Sequence, residues 1–291
     1  MGPIYVQKKD CITSAVNARV CRRTHKYGIE IPTSANHANH IDASNGNCFW
    51  KSAIDEEMNN VAVAFEILDE GKPEPVGWTK ASGHFVFDAK MDLTRKARWL
   101  KDGHRTADLE HSTFAGVVSR ESVRIVFTYA VLNGLDVMAA DIKNAYLQDP
   151  SSETHYVICG AEFCLDSIGK VSLNCRDLYE GKSSGADFWK QLRSCMMHLG
   201  FTSCNADPDI CMREYQKYYG TPVWEYVLIY VDDALIISNR GEDVIRKEFG
   251  KYFYAKDGYI EPPSIYLGNK VSKVTIENGV GAWSFSSPQY V

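Results

Sequence analysis

The stretch VLIYVDDALIIS, residues 227–238, sets Asp232 and Asp233 side by side between two apolar runs. A carboxylate is costly to bury, and two adjacent ones repel. One reading is a β-hairpin whose turn carries solvated charges, because Asp tolerates turn geometry. The other is a divalent-metal site. Mg²⁺ takes oxygen ligands in octahedral geometry, usually one or two carboxylates plus substrate phosphates. Neighbouring side chains on a strand point to opposite faces, so a further carboxylate must come from elsewhere. Asp141, near the end of the apolar run 135–142, is the candidate. Carboxylates meeting at strand ends can hold two metals about 3.5–4 Å apart, activating an attacking hydroxyl and neutralising a leaving pyrophosphate.

Other chemistry is weaker. Residues 90–105, KMDLTRKARWLKDGHR, form a basic stretch within a chain of net charge −5, and that bulk charge argues mildly against a free-standing nucleic-acid binder. Cys195, His198, Cys204 and Cys211 match no common zinc spacing and read as core thiols. The odd count of nine cysteines, without a CxxC pair or a signal-peptide apolar region, indicates reduced thiols in an intracellular protein. No apolar run is long enough to span a bilayer, so no membrane partner is expected. A length of 291 residues suits two or three subdomains.

Regular elements must position these groups. Residues 1–46 read as a loosely organised extension, with a solvated linker and short helix around His37 and His40. Helical spacing of Trp50, Ala53, Ile54, Met58 and Val61 predicts an amphipathic helix. GHFVFDAKM alternates as a strand with Phe85 and Phe87 on one face. SRESVRIVFTYAVLNG reads as a helix capped by Ser119 and ended at Asn133-Gly134. A short strand ending near Asp141 leads to a helical stub over residues 143–147, stopped by Asp149-Pro150. DFWKQLRSCMMHLGF is another helix, closed by Gly200.

YVDD followed by ALIIS resembles the hairpin motif of reverse transcriptases. The likeness extends through TFAGVVSRESVRIVFTYAVLNGLDVMAADIKNAYL, LYEGKSSGADFWKQL and HLGFTSCNADPDICM, in the order of a copia-type retrotransposon reverse transcriptase. FWKSAIDEEM and TRKARWLKDGH upstream, and PPSIYLGNKV and SFSSPQYV downstream, are similar to flanking parts of the same family. The resemblance implies an α+β right-hand polymerase with fingers, an antiparallel-sheet palm and a partial thumb. Its boundaries would be an extension over 1–46, fingers over 47–112 and 149–186, palm over 113–148 and 187–270, and the start of a thumb over 271–291. It implies Mg²⁺, with Mn²⁺ as an alternative, held by Asp141, Asp232 and Asp233, with the Ile142 carbonyl contributing at most. Tyr146 falls at the steric gate that rejects a 2′-OH. Lys96, Arg98, Gly181 and Lys182 would meet the dNTP. Tyr230 and the turn Tyr266, Leu267, Gly268 would position the primer end.

The implied activity is RNA-directed DNA synthesis from dNTPs on an RNA or DNA template with an annealed primer. An intact element would add the rest of a Pol polyprotein, including RNase H and integrase. The implied setting is cytoplasmic, in a virus-like particle, with nuclear entry of the product complex. Two segments depart from the pattern. The family usually reads Leu-Tyr-Gly-Leu-Lys where this chain reads Leu178-Tyr179-Glu180-Gly181-Lys182, which sets a carboxylate beside the expected triphosphate. Near the basic stretch, Arg98-Trp99-Leu100-Lys101-Asp102-Gly103 replaces a smaller aliphatic pair and adds an Asp. The alternative expectation is therefore an inactive retrotransposon remnant that keeps the fold and nucleic-acid binding.

Overall fold

A computed structural model describes residues 24–106, 113–216, 222–256, 260–277 and 279–286. Expectations that fall on residues 1–23 and on the closing SPQYV lie outside the described residues. The chain divides into two compact units. One is Met1–Thr106 with Thr154–Asn174, and the other is Ala107–Glu153 with Cys175–Val291. No helix among the described residues is long and apolar enough to cross a membrane.

The first unit opens with a short hairpin, β1 (His25–Lys26) and β2 (Ile29–Glu30). Helix α1 (Ala35–Asn45) follows, capped by the Ser34 hydroxyl, which accepts from the His37 amide, and ended by Gly46 in the left-handed region. The polar segment expected as a linker with a short helix is thus eleven helical residues, anchored by buried Ala38 and Ile41. Helix α2 (Phe49–Val61) buries Trp50, Ala53, Ile54 and Val61, the stripe its spacing predicts. After β3 (Phe65–Ile67) and β4 (Thr79–Lys80), β5 (Gly83–Ala89) and β6 (Arg95–Lys101) form an antiparallel hairpin. Phe87 and Ala97 from that hairpin join Trp50 and Ile54 in one apolar cluster. After α3 (Arg120–Leu132) and β7 (Asp136–Asp141) of the other unit, β8 (Pro150–Ile158) and β9 (Val171–Arg176) complete a sheet in the order β3-β9-β8-β4.

The second unit contains the Asp pair. Helix α4 (Ser184–His198) precedes β10 (Thr202–Ser203), β11 (Ile210–Gln216), β12 (Pro222–Tyr230) and β13 (Asp233–Ser238). These strands and β7 make an antiparallel five-stranded sheet, order β10-β11-β12-β13-β7. Alternate residues serve two cores. Val227, Ile229, Ala234 and Ile236 pack with Phe188, Leu192 and Met196 of α4. Leu228, Leu235 and Ile237 pack with Val123, Val126 and Phe127 of α3. Both faces are covered, so these strands read as continuous apolar runs rather than alternating ones. A three-stranded sheet, β14 (Ile265–Tyr266), β15 (Asn269–Thr275) and β16 (Gly281–Ser286), adds Tyr266 and Val271 to the α3 side. Cys195 and Cys211 lie in the α4 core, where burial pushes their thiols up to about 12 and about 11, as expected of core thiols.

Candidate active site

Central strands carry the aspartates. In the β13–β7 register Asp233 stands directly opposite Asp141. Ala234 and Ala140 beside them serve the α4 core, so alternation turns both carboxylates toward the α3 face. Like charges opposed across a strand pair are unfavourable. Burial, then the Asp232 and Asp141 carboxylates, raise Asp233 to about 6, with Lys256 opposing.

The hairpin differs from expectation in one respect. Tyr230 pairs with Asp233, so the two-residue turn is Val231-Asp232, and Asp233 already belongs to β13. Val231 has φ 54, a left-handed conformation that a β-branched side chain rarely adopts. This separates the adjacent carboxylates: Asp232 sits on the turn and Asp233 on the strand. The Asp232 carbonyl accepts the Ile142 amide at 2.8 Å, tying the turn to the end of β7. The expected helical stub over 143–147 is instead Asn144 with φ 50, followed by a short 3₁₀ turn, Ala145–Gln148. A left-handed residue cannot continue a right-handed helix.

Asp141 also has a partner that the sequence reading missed. Lys256 Nζ donates to Asp141 Oδ2 at 2.5 Å, and the Lys256 amide donates to the Asp141 carbonyl at 2.9 Å. The other oxygen, Oδ1, is buried without a hydrogen-bond partner among the described residues. No group of three or more metal-binding side chains is already drawn together among those residues. An orphaned carboxylate oxygen, two repelling neighbours and a lysine acting as counter-ion nevertheless make a donor set suited to a hard divalent cation.

The remaining site residues divide between the two units. Tyr146 packs edge-on against Phe188 and Tyr179, with ring centroids 5.9 and 5.6 Å away. Past Tyr179 the chain turns tightly: the Gly181 amide donates to the Leu178 carbonyl at 3.1 Å, bringing Gly181 and Lys182 round. The left-handed residue of this turn is Glu180, φ 63, at the position where the family usually has glycine. Tyr266, Leu267 and Gly268 form the β14–β15 turn, with Leu267 and Gly268 at φ 49 and 71. With Tyr230, that turn lines a cavity of about 700 Å³ that also contains Asp141 and Asp233. Of the six non-glycine residues with positive φ among the described residues, Asn144, Val231 and Leu267 fall in the segments next to Asp141 and Asp233, and such conformations gather at functional sites.

Lys96 and Arg98 belong to the first unit, on β6, where Ala97 and Trp99 between them are buried. They pair in register with Asp88 and Val86 of β5 and lower the Glu57 carboxyl, which burial raises. The departures beside them have interior roles. Trp99 packs edge-on against Phe65 and Phe163, and Lys101 is fully buried with His155 Nδ1 at 3.2 Å. Burial works against the Asp102 carboxylate, yet bonds from Ser82 and His84 hold it below its ordinary value.

The sequence profile described as "Reverse transcriptase (RNA-dependent DNA polymerase)" matches residues 69–283. The chain belongs to this family. It is 27% identical over 198 residues to the Retrovirus-related Pol polyprotein from transposon RE1 of Arabidopsis thaliana, covering 65% of this chain and 13% of that protein. It is 27% identical over 211 residues to the Pol polyprotein from transposon TNT 1-94 of Nicotiana tabacum, covering 68% and 15%. The chain therefore spans about a seventh of these relatives. Its mixed α/β architecture with antiparallel sheets fits a reverse transcriptase domain.

Proposed function

We propose that the chain is the polymerase domain of a copia-type Pol polyprotein, extending a primer with dNTPs on an RNA or DNA template. The observation that carries this reading is the Asp141–Asp233 register, with Asp141 Oδ1 left buried and unpaired. We assign the palm to the second unit, the start of the thumb to its C-terminal strands, and the fingers to the first unit. Asp141, Asp232 and Asp233, with the Ile142 carbonyl, would hold the cations. Bound there, Mg²⁺ would neutralise the attacking and leaving oxygens of an in-line displacement. Asp141 and Asp233, fixed on neighbouring strands, provide that charge without rearranging. Asp232 stands on the strained turn tied to the end of β7, and Lys256 balances Asp141 until a cation arrives. Tyr146, held from behind by Phe188, presents its ring to the sugar and excludes a 2′-OH. For Lys96, Arg98 and Lys182 the phosphate-binding role rests on the family alone. The same holds for an intracellular, particle-borne setting and for partner RNase H and integrase segments.

Glu180 favours a second reading, an inactive remnant, because it strains a turn where the family uses glycine. Primer extension on poly(rA)/oligo(dT) separates the two. Incorporation of dTTP but not UTP, with UTP admitted by Tyr146→Ala, supports the polymerase. Template binding without incorporation, even in Glu180→Gly, supports the remnant.

A further inference from the structure

Strand β16 is the outer strand of the sheet β14-β15-β16, and no strand among the described residues pairs with its other side. The phase of the ladder says which main-chain groups face out. At the hairpin end the Ile276 amide donates to the Val280 carbonyl at 2.9 Å, whereas the Val271 amide turns away from β16 to the Ser264 carbonyl at 2.9 Å. Thr275 stands opposite Gly281, and Val271 opposite Phe285. Alternation therefore turns the amides and carbonyls of Gly281, Trp283 and Phe285 to the open edge. Edge strands are ordinarily guarded by a lysine, a proline or a bulge. The β16 sequence GAWSFS has no charge and no proline, and its register with β15 is unbroken.

A groove runs beside that edge. Phe127, Val131 and Leu132 of α3, with Val280, Trp283 and Phe285, wall a cavity of about 420 Å³. Leu132 is 76% exposed and Val280 47%, so this wall is apolar surface open to solvent. Gly281 leaves room at one end, because a Cβ there would meet nothing within 4 Å. Among the described lining residues Arg124 carries the one charge. A neighbouring cavity takes in Val131, Leu135 and Gly281 but neither Arg124 nor Phe285, so Arg124 lies toward the Phe285 end.

Main-chain groups facing an open edge call for a strand, and an apolar wall along one side of it calls for alternate apolar side chains. A second copy of this chain does not supply them. Paired antiparallel, edge to edge, it would turn its own Trp283 and Phe285 toward the groove, and these rings already pack edge-on against Phe127 of their own chain, with centroids 5.1 and 5.2 Å away. We propose that the groove between β16 and α3 binds an extended segment of a separate protein, added antiparallel to β16, with alternate apolar side chains toward α3 and an acidic residue near Arg124. The proposal goes beyond the polymerase reading and does not depend on it.

The probe is the peptide acetyl-Glu-Val-Thr-Val-Thr-Val-Thr with a C-terminal fluorophore, titrated with the full chain and followed by fluorescence anisotropy. Added as proposed, its valines face α3 and their amides face β16, while the threonine amides face away. N-methylation of the valine amides should weaken binding by about 10-fold or more, since it removes the main-chain bonds to the edge. N-methylation of the threonine amides should not. Leu132→Glu, at an exposed position, should weaken binding by about 10-fold and leave the melting temperature unchanged. Lysine in place of the probe's glutamate should weaken binding to wild type, and Arg124→Glu should reverse that preference. The proposal is overturned if the probe does not bind at millimolar protein, if the two N-methylated peptides bind alike, or if Arg124→Glu leaves the preference unmoved. Sedimentation of the chain alone checks the competing occupant. A dimer that Leu132→Glu dissociates, with no probe bound, assigns the groove to a second copy and overturns the proposal.

Discussion

Glu180→Gly isolates a backbone cost from a charge. Glu180 has φ 63 as the second central residue of the turn closed by the Gly181 amide and the Leu178 carbonyl. A type II turn wants glycine there, because a Cβ clashes in the left-handed region at a cost of about 1–2 kcal/mol. Glycine's greater freedom in the unfolded chain returns roughly 0.5–1 kcal/mol of that gain. The expected net is a stabilisation of up to about 1 kcal/mol, or roughly 1–4 °C in melting temperature for a chain of this size. The carboxylate is exposed, so removing its charge alone should change stability by less than about 0.5 kcal/mol. Thermal melts of wild type, Glu180→Gly, Glu180→Ala and Glu180→Gln distinguish the two. Only glycine should raise the midpoint, since alanine and glutamine keep the Cβ. The same ordering should hold for the KM of dTTP, because a relaxed turn frees Gly181 and Lys182 to settle. If Glu180→Ala matches Glu180→Gly in either measurement, charge rather than backbone strain is the defect and the argument fails.

Other outcomes follow from the same geometry. Glu225, 1% exposed, accepts from Arg213 Nε at 2.8 Å, Arg240 Nε at 2.9 Å and Ser238 Oγ at 2.5 Å. Glu225→Ala leaves Arg213 and Arg240 with Glu248 as their remaining carboxylate and should cost about 1–3 kcal/mol in urea unfolding. In chelator, stability should fall as pH rises from about 4 to about 6 and then level off. Asp233 and Asp149, both raised to about 6, hold a proton in the folded form that the unfolded chain has released. Melting curves at stepped pH check this, and Asp233→Asn should flatten the fall. Lys256→Ala removes the cation on Asp141 and should tighten Mn²⁺ binding measured by electron paramagnetic resonance without nucleotide. Unchanged or weaker binding would show that Lys256 does not stand in for a metal.

The strands around the Asp pair were legible because their apolar runs are continuous, and the two-sided cover of α3 and α4 explains why. The helices at Phe49–Val61 and Arg120–Leu132 were legible from spacing and from Ser119. Register was not. Nothing local to Asp141 says that it must face Asp233 rather than a neighbour, because pairing is decided by packing across the whole sheet. Val231 and Leu267 carry no turn chemistry that announces a left-handed backbone, so the sequence puts the turn on the Asp pair itself; Asn144 is a residue that tolerates that conformation, and it interrupts the helical stub that the spacing predicts. Lys256 reaches the site from a distant segment, as an ordinary charged residue with no motif around it. Trp99, Lys101 and Asp102 looked like damage to a phosphate-binding segment, yet they fill the interior of the first unit.

The most direct test of the central claim is single-turnover incorporation of dTTP on poly(rA)/oligo(dT) with Mg²⁺. Wild type is compared with Asp141→Asn, Asp232→Asn and Asp233→Asn, each checked for wild-type melting and primer–template binding. The account predicts that wild type extends the primer, that each substitution abolishes extension while leaving the fold intact, and that chelator does the same to wild type. Wild-type rates in the Asp141 and Asp233 variants would contradict it.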